Sequence, residues 1–450
     1  MGRQLRVAVI GSGISGLAAA WLLSKRHRVT LFETNRYFGG HSNTVEAPGP
    51  SVPIPVDTGF IVYNDRTYPN LVALFEHLSV PTAPSSMSFA VSLDDGAYEY
   101  SGSGVTGLFG QRRNILRPSH YRMTADILRF FRESPRILDD PSIADASLGS
   151  YIASNGYSSA FVHRHILPMA AAIWSTPSAR VLDYPVASFV RFFQNHGLLQ
   201  ATNQPTWRTV RGGSREYVRR ILADFSGDQR LAAGVTRIER SDTGVDILAG
   251  SERQTFDSCV IATHADDALA LLAEPTAAER ETLGAFSYTA NRAILHRDPS
   301  QMPKRRRVWS SWNYLGSAAG GERDLSLTYW MNNLQPLGVG AGDIFVTLNP
   351  RRTIDPRTIV YAVDYNHPVF DARATRAQGA LWSLQGRHRT WFCGSYFGYG
   401  FHEDGLQAGL AVAEQLGGTK RPWSLENASS RIHVEPVTGA GVSGLAEAAE

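Results

Sequence analysis

Two cysteines in 450 residues, Cys259 and Cys393, leave no material for a disulfide framework. Both sit in apolar strand-like runs, which predicts free buried thiols and fits a reducing cytoplasm. Zinc-type Cys/His spacing, a GxxxxGK[ST] phosphate loop and a GxSxG nucleophile turn are all missing. Their absence argues against a structural zinc fold, a P-loop nucleotidase and an α/β-hydrolase, and no metal is expected. Charge is scarce, at 19% of residues with a net of +3, too small an excess to argue for a nucleic-acid partner. No signal-peptide pattern opens the chain, and a cytoplasmic protein is expected. The stretch from Val7 to Leu23 is broken by three glycines, so it reads as strand plus helix rather than a membrane span. Hydrophobic residues make up 43%, an ordinary globular share that allows two or three domains.

What is present begins at Gly11-Ser12-Gly13-Ile14-Ser15-Gly16, between the apolar runs Leu5 to Ile10 and Leu17 to Leu23. Glu33 follows a third apolar run, twenty residues after Gly13. Strand, tight turn, helix, strand and acid fall in the order a dinucleotide site requires. Gly11 lets the backbone turn, Gly13 lets a diphosphate approach, and Gly16 lets the helix lie close to the strand. The helix N-terminus offers free N–H groups and a positive dipole end, and Glu33 can accept bonds from ribose hydroxyls. An ordinary βαβ turn would share the glycines but would not need the acid. The motif alone leaves NAD and FAD both open. Gly39-Gly40, close behind the acid, suit a backbone running along the diphosphate and ribityl chain of a flavin.

These residues, with Phe38-Gly39-Gly40-His41 and the small-residue turn Asp57-Thr58-Gly59, resemble the flavin-containing amine oxidase and phytoene desaturase superfamily. The resemblance implies non-covalent FAD held by Gly11, Gly13, Ile14, Ser15, Gly16, Glu33, Thr34, Arg36, Gly39, Gly40, His41, Thr58 and Gly59. It adds Val235 beside the adenine, Ala262 at the end of a returning strand, and Gly394, Ser395, Gly405 and Leu406 near the flavin ring. Gly212-Gly213 matches a family pair that approaches the flavin or its substrate side. His41 stands where the family usually has arginine, and Arg36 could compensate for the missing charge. The fold implied is α/β: a Rossmann-type FAD-binding domain interleaved with an α+β substrate domain. Its expected pieces are 1–60, 205–265 and 385–423 for FAD, 61–204 and 266–384 for substrate, with a loose tail over 424–450. The expected final helix runs from Leu406 to Leu416.

Three further runs, Asp57 to Asn64, Arg307 to Tyr314 and Gly398 to Gly405, resemble a bacterial family of FAD-binding oxidoreductases. That family is similar to the flavoprotein half of plant cyclopropane fatty acid synthases. It implies dehydrogenation of a modified fatty acyl or phospholipid chain. Amine oxidation to an imine with peroxide is the alternative, and a flavoprotein partner of a lipid methyltransferase is a third reading. Many amine oxidases place a lysine near flavin N5; the comparable strand here has Asn291 and Arg292 instead. His402 and Glu403 are the candidate catalytic residues, for substrate positioning or proton acceptance. Arginines 112 to 136, alternating with apolar residues, could rest on anionic phospholipid or form a solvated face, and Lys304 to Arg307 could add to them. Nine aromatics, among them Trp309, Trp312, Tyr329, Tyr399 and Phe401, could line an apolar tunnel or fill core.

Overall fold

In the computed structural model the residues described are 3–140, 143, 146–174, 181–195, 197–199, 205–317 and 326–437. The apolar run before the first glycine forms strand β1 (Arg6–Ile10), followed by helix α1 (Ile14–Leu23) and strand β2 (Arg28–Phe32). Every residue of α1 is buried, consistent with its near-continuous Leu/Ala/Trp composition. It lies between the sheet and the long C-terminal helix His402–Gly417. Gly11 makes the turn at φ +98°, a left-handed conformation costly for other residues. A Cβ on Gly16 would lie 1.9 Å from the Gly11 carbonyl oxygen, so only glycine permits that approach.

β1 is the central strand of a sheet assembled from distant pieces of the chain. Five parallel strands run in the order Asp228–Arg230, β2, β1, Ser258–Ile261, Thr390–Phe392. Parallel strands need covered faces, and the interior residues of this sheet are fully buried. Cys259 and Cys393 are both buried and free, as expected. A three-stranded antiparallel meander, Val235–Arg240, Val245–Ala249 and Glu252–Phe256, precedes the return to the parallel sheet.

A second sheet of seven strands runs Ile359–Val369, Ser287–His296, Phe345–Leu348, Ser326–Trp330, Trp312–Gly316, Phe89–Leu93, Tyr98–Ser101. Only Trp312–Gly316 and Phe89–Leu93 pair in parallel. A helical layer packs its own core, including Phe130, Phe161, Phe189 and Phe193, against Val91, Leu93 and Tyr314 of this sheet. The architecture is an α/β fold of two domains, one built on the parallel sheet and one on the mixed sheet. No helix among the described residues is long and apolar enough to cross a membrane.

Two boundaries differ from the expectation. The final helix starts one turn earlier, because the Asp404 carboxylate accepts the Phe401 N–H at 2.7 Å. Residues 424–437 are half exposed but anchored to the body rather than loose. Arg431 pairs with the buried Asp404 at 2.7 Å and donates to the Thr67 carbonyl at 2.6 Å, Ile432 is buried, and Val434 and Val437 rest on the core. Residues 438–450 lie outside the described set.

Candidate active site

A cavity of about 1040 Å³ joins the glycine turn of α1 to the second sheet and to the helical layer. Gly11, Gly13, Ile14, Ser15, Glu33, Gly39, Gly40, His41, Gly59, Ala262, Gly394, Ser395 and His402 all line it. α1 begins at its edge with no side chain capping its N–H groups, which leaves them for a bound anion. A Cβ on Gly13 would meet nothing within 4 Å, so this glycine faces open space, unlike Gly16.

Glu33 is buried and its carboxylate is already engaged. One oxygen accepts from the Ser12 N–H (3.0 Å) and hydroxyl (2.5 Å), the other from the Asn35 N–H (2.8 Å) and amide (2.9 Å). The acid thus holds the turn in shape, and a ribose must share it with two mobile side-chain donors, Ser12 and Asn35. The Ser12 hydroxyl also accepts the Gly39 N–H, tying the two glycine turns together.

The position expected to carry positive charge carries none. Burial, then His367 and His264, push His41 well below the usual imidazole range, so it is neutral. Its ring stacks on Tyr365 at 4.7 Å, and its buried Nε2 has no partner. Arg36, expected to compensate, is exposed and outside the lining, and no Lys or Arg among the described residues lines the cavity. A diphosphate here would be met by backbone N–H groups, the helix dipole and a neutral imidazole.

The other expected cofactor residues lie outside the cavity lining. Thr34 is exposed beside Gly234. Thr58 bonds the Asn43 carbonyl and the Tyr365 hydroxyl (2.8 Å). Val235 pairs with Ala249 in the meander. Gly405 packs on the Ser15 hydroxyl, and Leu406 is fully buried. Gly212 and Gly213 do not reach the lining.

His402 and Glu403 are separated by the helix they start. His402 lines the cavity, stacks on Phe60 at 3.7 Å, and places Nε2 2.9 Å from the Tyr217 hydroxyl and 3.0 Å from Ser42 Oγ. Burial lowers its pKa to about 3. Glu403 points the other way. Its carboxylate accepts the N–H groups of Asn70 and Leu71, both at 3.0 Å, and the amides of Asn70 and Gln407. Helix Pro69–His77 has no side-chain cap of its own, so Glu403 supplies the acceptors that its first turn lacks. That geometry suits a structural carboxylate, not a proton acceptor in the cavity.

His367 was not singled out by sequence. It lines the cavity, and burial lowers its pKa to about 4. Asn349 donates to the Asn291 carbonyl oxygen at 2.7 Å, and the Asn291 amide nitrogen donates to the Thr289 carbonyl, so that nitrogen must also face His367 Nδ1 at 3.1 Å. Nδ1 therefore accepts, and Nε2 carries the proton. Asn291 acts through this imidazole, while Arg292 turns outward to Asp364. The only sequence signal was the alternation Val363, Tyr365, His367 along one face of a strand.

Apart from Glu33, the carboxylates of the lining are Asp267 and Asp364, and one part of the cavity has none. Its lining from Phe60 to Trp207, with Trp312 and Tyr329, contains no Asp, Glu, Lys or Arg among the described residues. Trp312, Tyr329, Tyr396, Tyr399 and Phe401 contribute; Tyr314 and Phe397 are core instead, and Trp309 and Trp330 are half-buried beneath Arg306. The run at 304–307 is mostly neutralised, with Lys304, Arg305 and Arg306 paired to Asp95, Glu99 and Asp343.

Residues 14–304 match the family model for flavin containing amine oxidoreductases. Solved structures share the fold at low identity. Cyclohexylamine oxidase from Brevibacterium oxydans IH-35A is 16% identical, with 92% of this chain and all of that one aligned at a TM-score of 0.66. A fatty acid isomerase from P. acnes that produces CLA is 14% identical over 91% and 98%, at 0.65. An oxidoreductase from Methanosarcina mazei is 15% identical over 91% and 100%, at 0.63. No curated protein sequence matches the chain.

Proposed function

Because this chain belongs to the flavin containing amine oxidoreductase family, we propose that its FAD-dependent chemistry removes hydrogen from a fatty acyl chain, of the kind carried by a modified phospholipid. The observation that carries this reading is the uncharged apolar arm of the cavity. An acyl chain needs a long dry slot and no counter-charge, whereas a cationic amine gains from a carboxylate that this arm does not offer. FAD, when bound, supplies the two-electron acceptor that oxidation of a C–H bond requires. Its fit rests on the open face of Gly13, the uncapped start of α1 and the unpartnered Nε2 of His41.

The chain's own residues exclude water and place the substrate. Aromatic and aliphatic walls hold the chain in one track toward the glycine turns. His402 is fixed by Phe60, Tyr217 and Ser42, and His367 by Asn291; both are neutral and hold polar atoms at the cavity wall. Amine oxidation is the second reading, favoured by the family description. A flavoprotein serving a lipid methyltransferase would bind FAD without turning over a lipid alone.

The test is anaerobic mixing of the FAD-loaded protein with detergent-dispersed phospholipids bearing unsaturated, methylated or cyclopropanated chains, and separately with primary amines. Bleaching of the flavin by one lipid class, and not by amines, is expected. Bleaching by an amine alone would sink the acyl reading.

A further inference from the structure

Exposed large hydrophobic side chains are rare on this protein, and they are not scattered evenly. Five of the nine among the described residues fall in one segment: Val105 (72% exposed), Ile115 (52%), Leu116 (85%), Tyr121 (49%) and Leu128 (56%). They are physically joined. The Tyr121 hydroxyl donates to the Ile115 carbonyl at 3.0 Å, and its ring meets Phe109 at 5.7 Å. On helix Pro118–Glu133, Tyr121, Thr124, Leu128 and Phe131 share one stripe at helical spacing. The last three line the cavity. Leu128 is therefore both solvent-exposed and part of the cavity wall, which places the mouth inside the apolar patch. The short helix carrying Val105 contributes Gly104 and Leu108 to the same mouth.

The charge around the mouth is one-sided. Residues 103–136 hold seven arginines against two acids, Asp126 and Glu133. Those acids engage Arg122, Arg129 and Arg132. Arg112 and Arg113 are exposed and form no ion pair or hydrogen bond among the described residues. A water-soluble partner gains little from protruding Leu116 and Leu128, and a neutral apolar surface gains nothing from the arginines. An anionic bilayer matches both, because apolar side chains enter the acyl boundary while guanidinium groups meet phosphates.

We propose that this face is a docking surface for an anionic phospholipid bilayer, with the cavity mouth at Leu128 held against the membrane. A lipid acyl chain could then enter the cavity without crossing water, a consequence that rests on the acyl-chain reading above, whereas the docking does not.

The experiment is sedimentation of the FAD-loaded full chain with vesicles of phosphatidylglycerol and phosphatidylcholine, and with phosphatidylcholine alone. The variants are Arg112→Glu with Arg113→Glu, and Leu116→Ser, all at exposed positions outside the cavity wall. Each arginine near an anionic leaflet is worth about fivefold in partitioning, so the double reversal should weaken binding to the anionic vesicles at least tenfold. Leu116→Ser should weaken it as well, and binding to phosphatidylcholine should be slight. Flavin bleaching by detergent-dispersed lipid should be unchanged in all variants. Absent vesicle binding, equal binding to both vesicle types, or binding indifferent to these substitutions would overturn the proposal. So would a dimer in solution that the same substitutions dissociate, since a second copy would then be the occupant. Charge-dependent binding without bleaching by any lipid would leave the docking in place and remove the acyl reading.

Discussion

Replacing Gly13 by alanine separates cofactor binding from folding. Gly13 has φ −61° and ψ 176°, which alanine adopts freely, and its added Cβ would meet nothing within 4 Å. The fold should accept it, and the loss of unfolded-chain freedom should leave the apo chain unchanged or up to about 1 kcal/mol more stable. The new methyl stands in the open cavity, where a diphosphate must come close to the backbone. Pushing the phosphates back by about 1 Å removes on the order of one charge-assisted hydrogen bond, about 1.5–3 kcal/mol. FAD affinity should then fall about 10- to 150-fold. Gly16→Ala is the control. Its Cβ would lie 1.9 Å from the Gly11 carbonyl oxygen, so the turn itself must break and the apo chain must lose stability. The assay is FAD titration of each apo protein by fluorescence, with thermal unfolding beside it. Gly13→Ala binding FAD within about threefold of the parent would refute the reasoning, as would its failure to fold.

Two further outcomes follow from buried titratable groups. Glu403→Ala strips the acceptors from the Asn70 and Leu71 N–H groups and should cost about 2–4 kcal/mol of stability, read by denaturant unfolding. Glu403→Gln, which keeps one acceptor, should cost less, and flavin reduction per folded molecule should survive both; a selective loss of rate in Glu403→Gln would return this residue to the chemistry. Acid should destabilise the protein. The folded-state pKa values of His165, His296 and His367 are about 4 and that of His402 about 3, all lowered by burial from 6.5. The unfolded chain therefore binds more protons below 6.5, and stability is lost as pH falls from there toward the folded values. Asp57, raised by burial to about 6, opposes this weakly. Stability should therefore fall between pH 7.5 and 5.5, with His41 adding to the loss, and a flat or rising stability over that window would contradict the burial of these rings.

The glycine turn and Glu33 were legible because their geometry is local: strand, turn, helix and acid lie within 33 residues of one another. The interleaved architecture was legible through family resemblance rather than through periodicity. Glu403 was misplaced because its partners, Asn70 and Leu71, lie more than 330 residues away and nothing near it in sequence announces them. His367 was missed because its tautomer depends on Asn291 and Asn349, neighbours only through strand pairing. The segment at 424–437 looked like solvated tail because Arg431 is ordinary in composition, and only tertiary structure shows its buried partner Asp404.

The parallel sheet has a temporal side. β1 and β2 emerge first from the ribosome, yet Ser258–Ile261 and Thr390–Phe392 complete their layer, and helix His402–Gly417 covers α1. At about 5–20 residues per second, β1 waits about 20–80 seconds for its last companion strand. Through that interval α1 lacks the helix that covers its outer face, although helix Arg215–Asp224 and the first two strands already pack on it. The cleft for the dinucleotide is therefore completed only late in synthesis, when the strand and helix from the last part of the chain arrive.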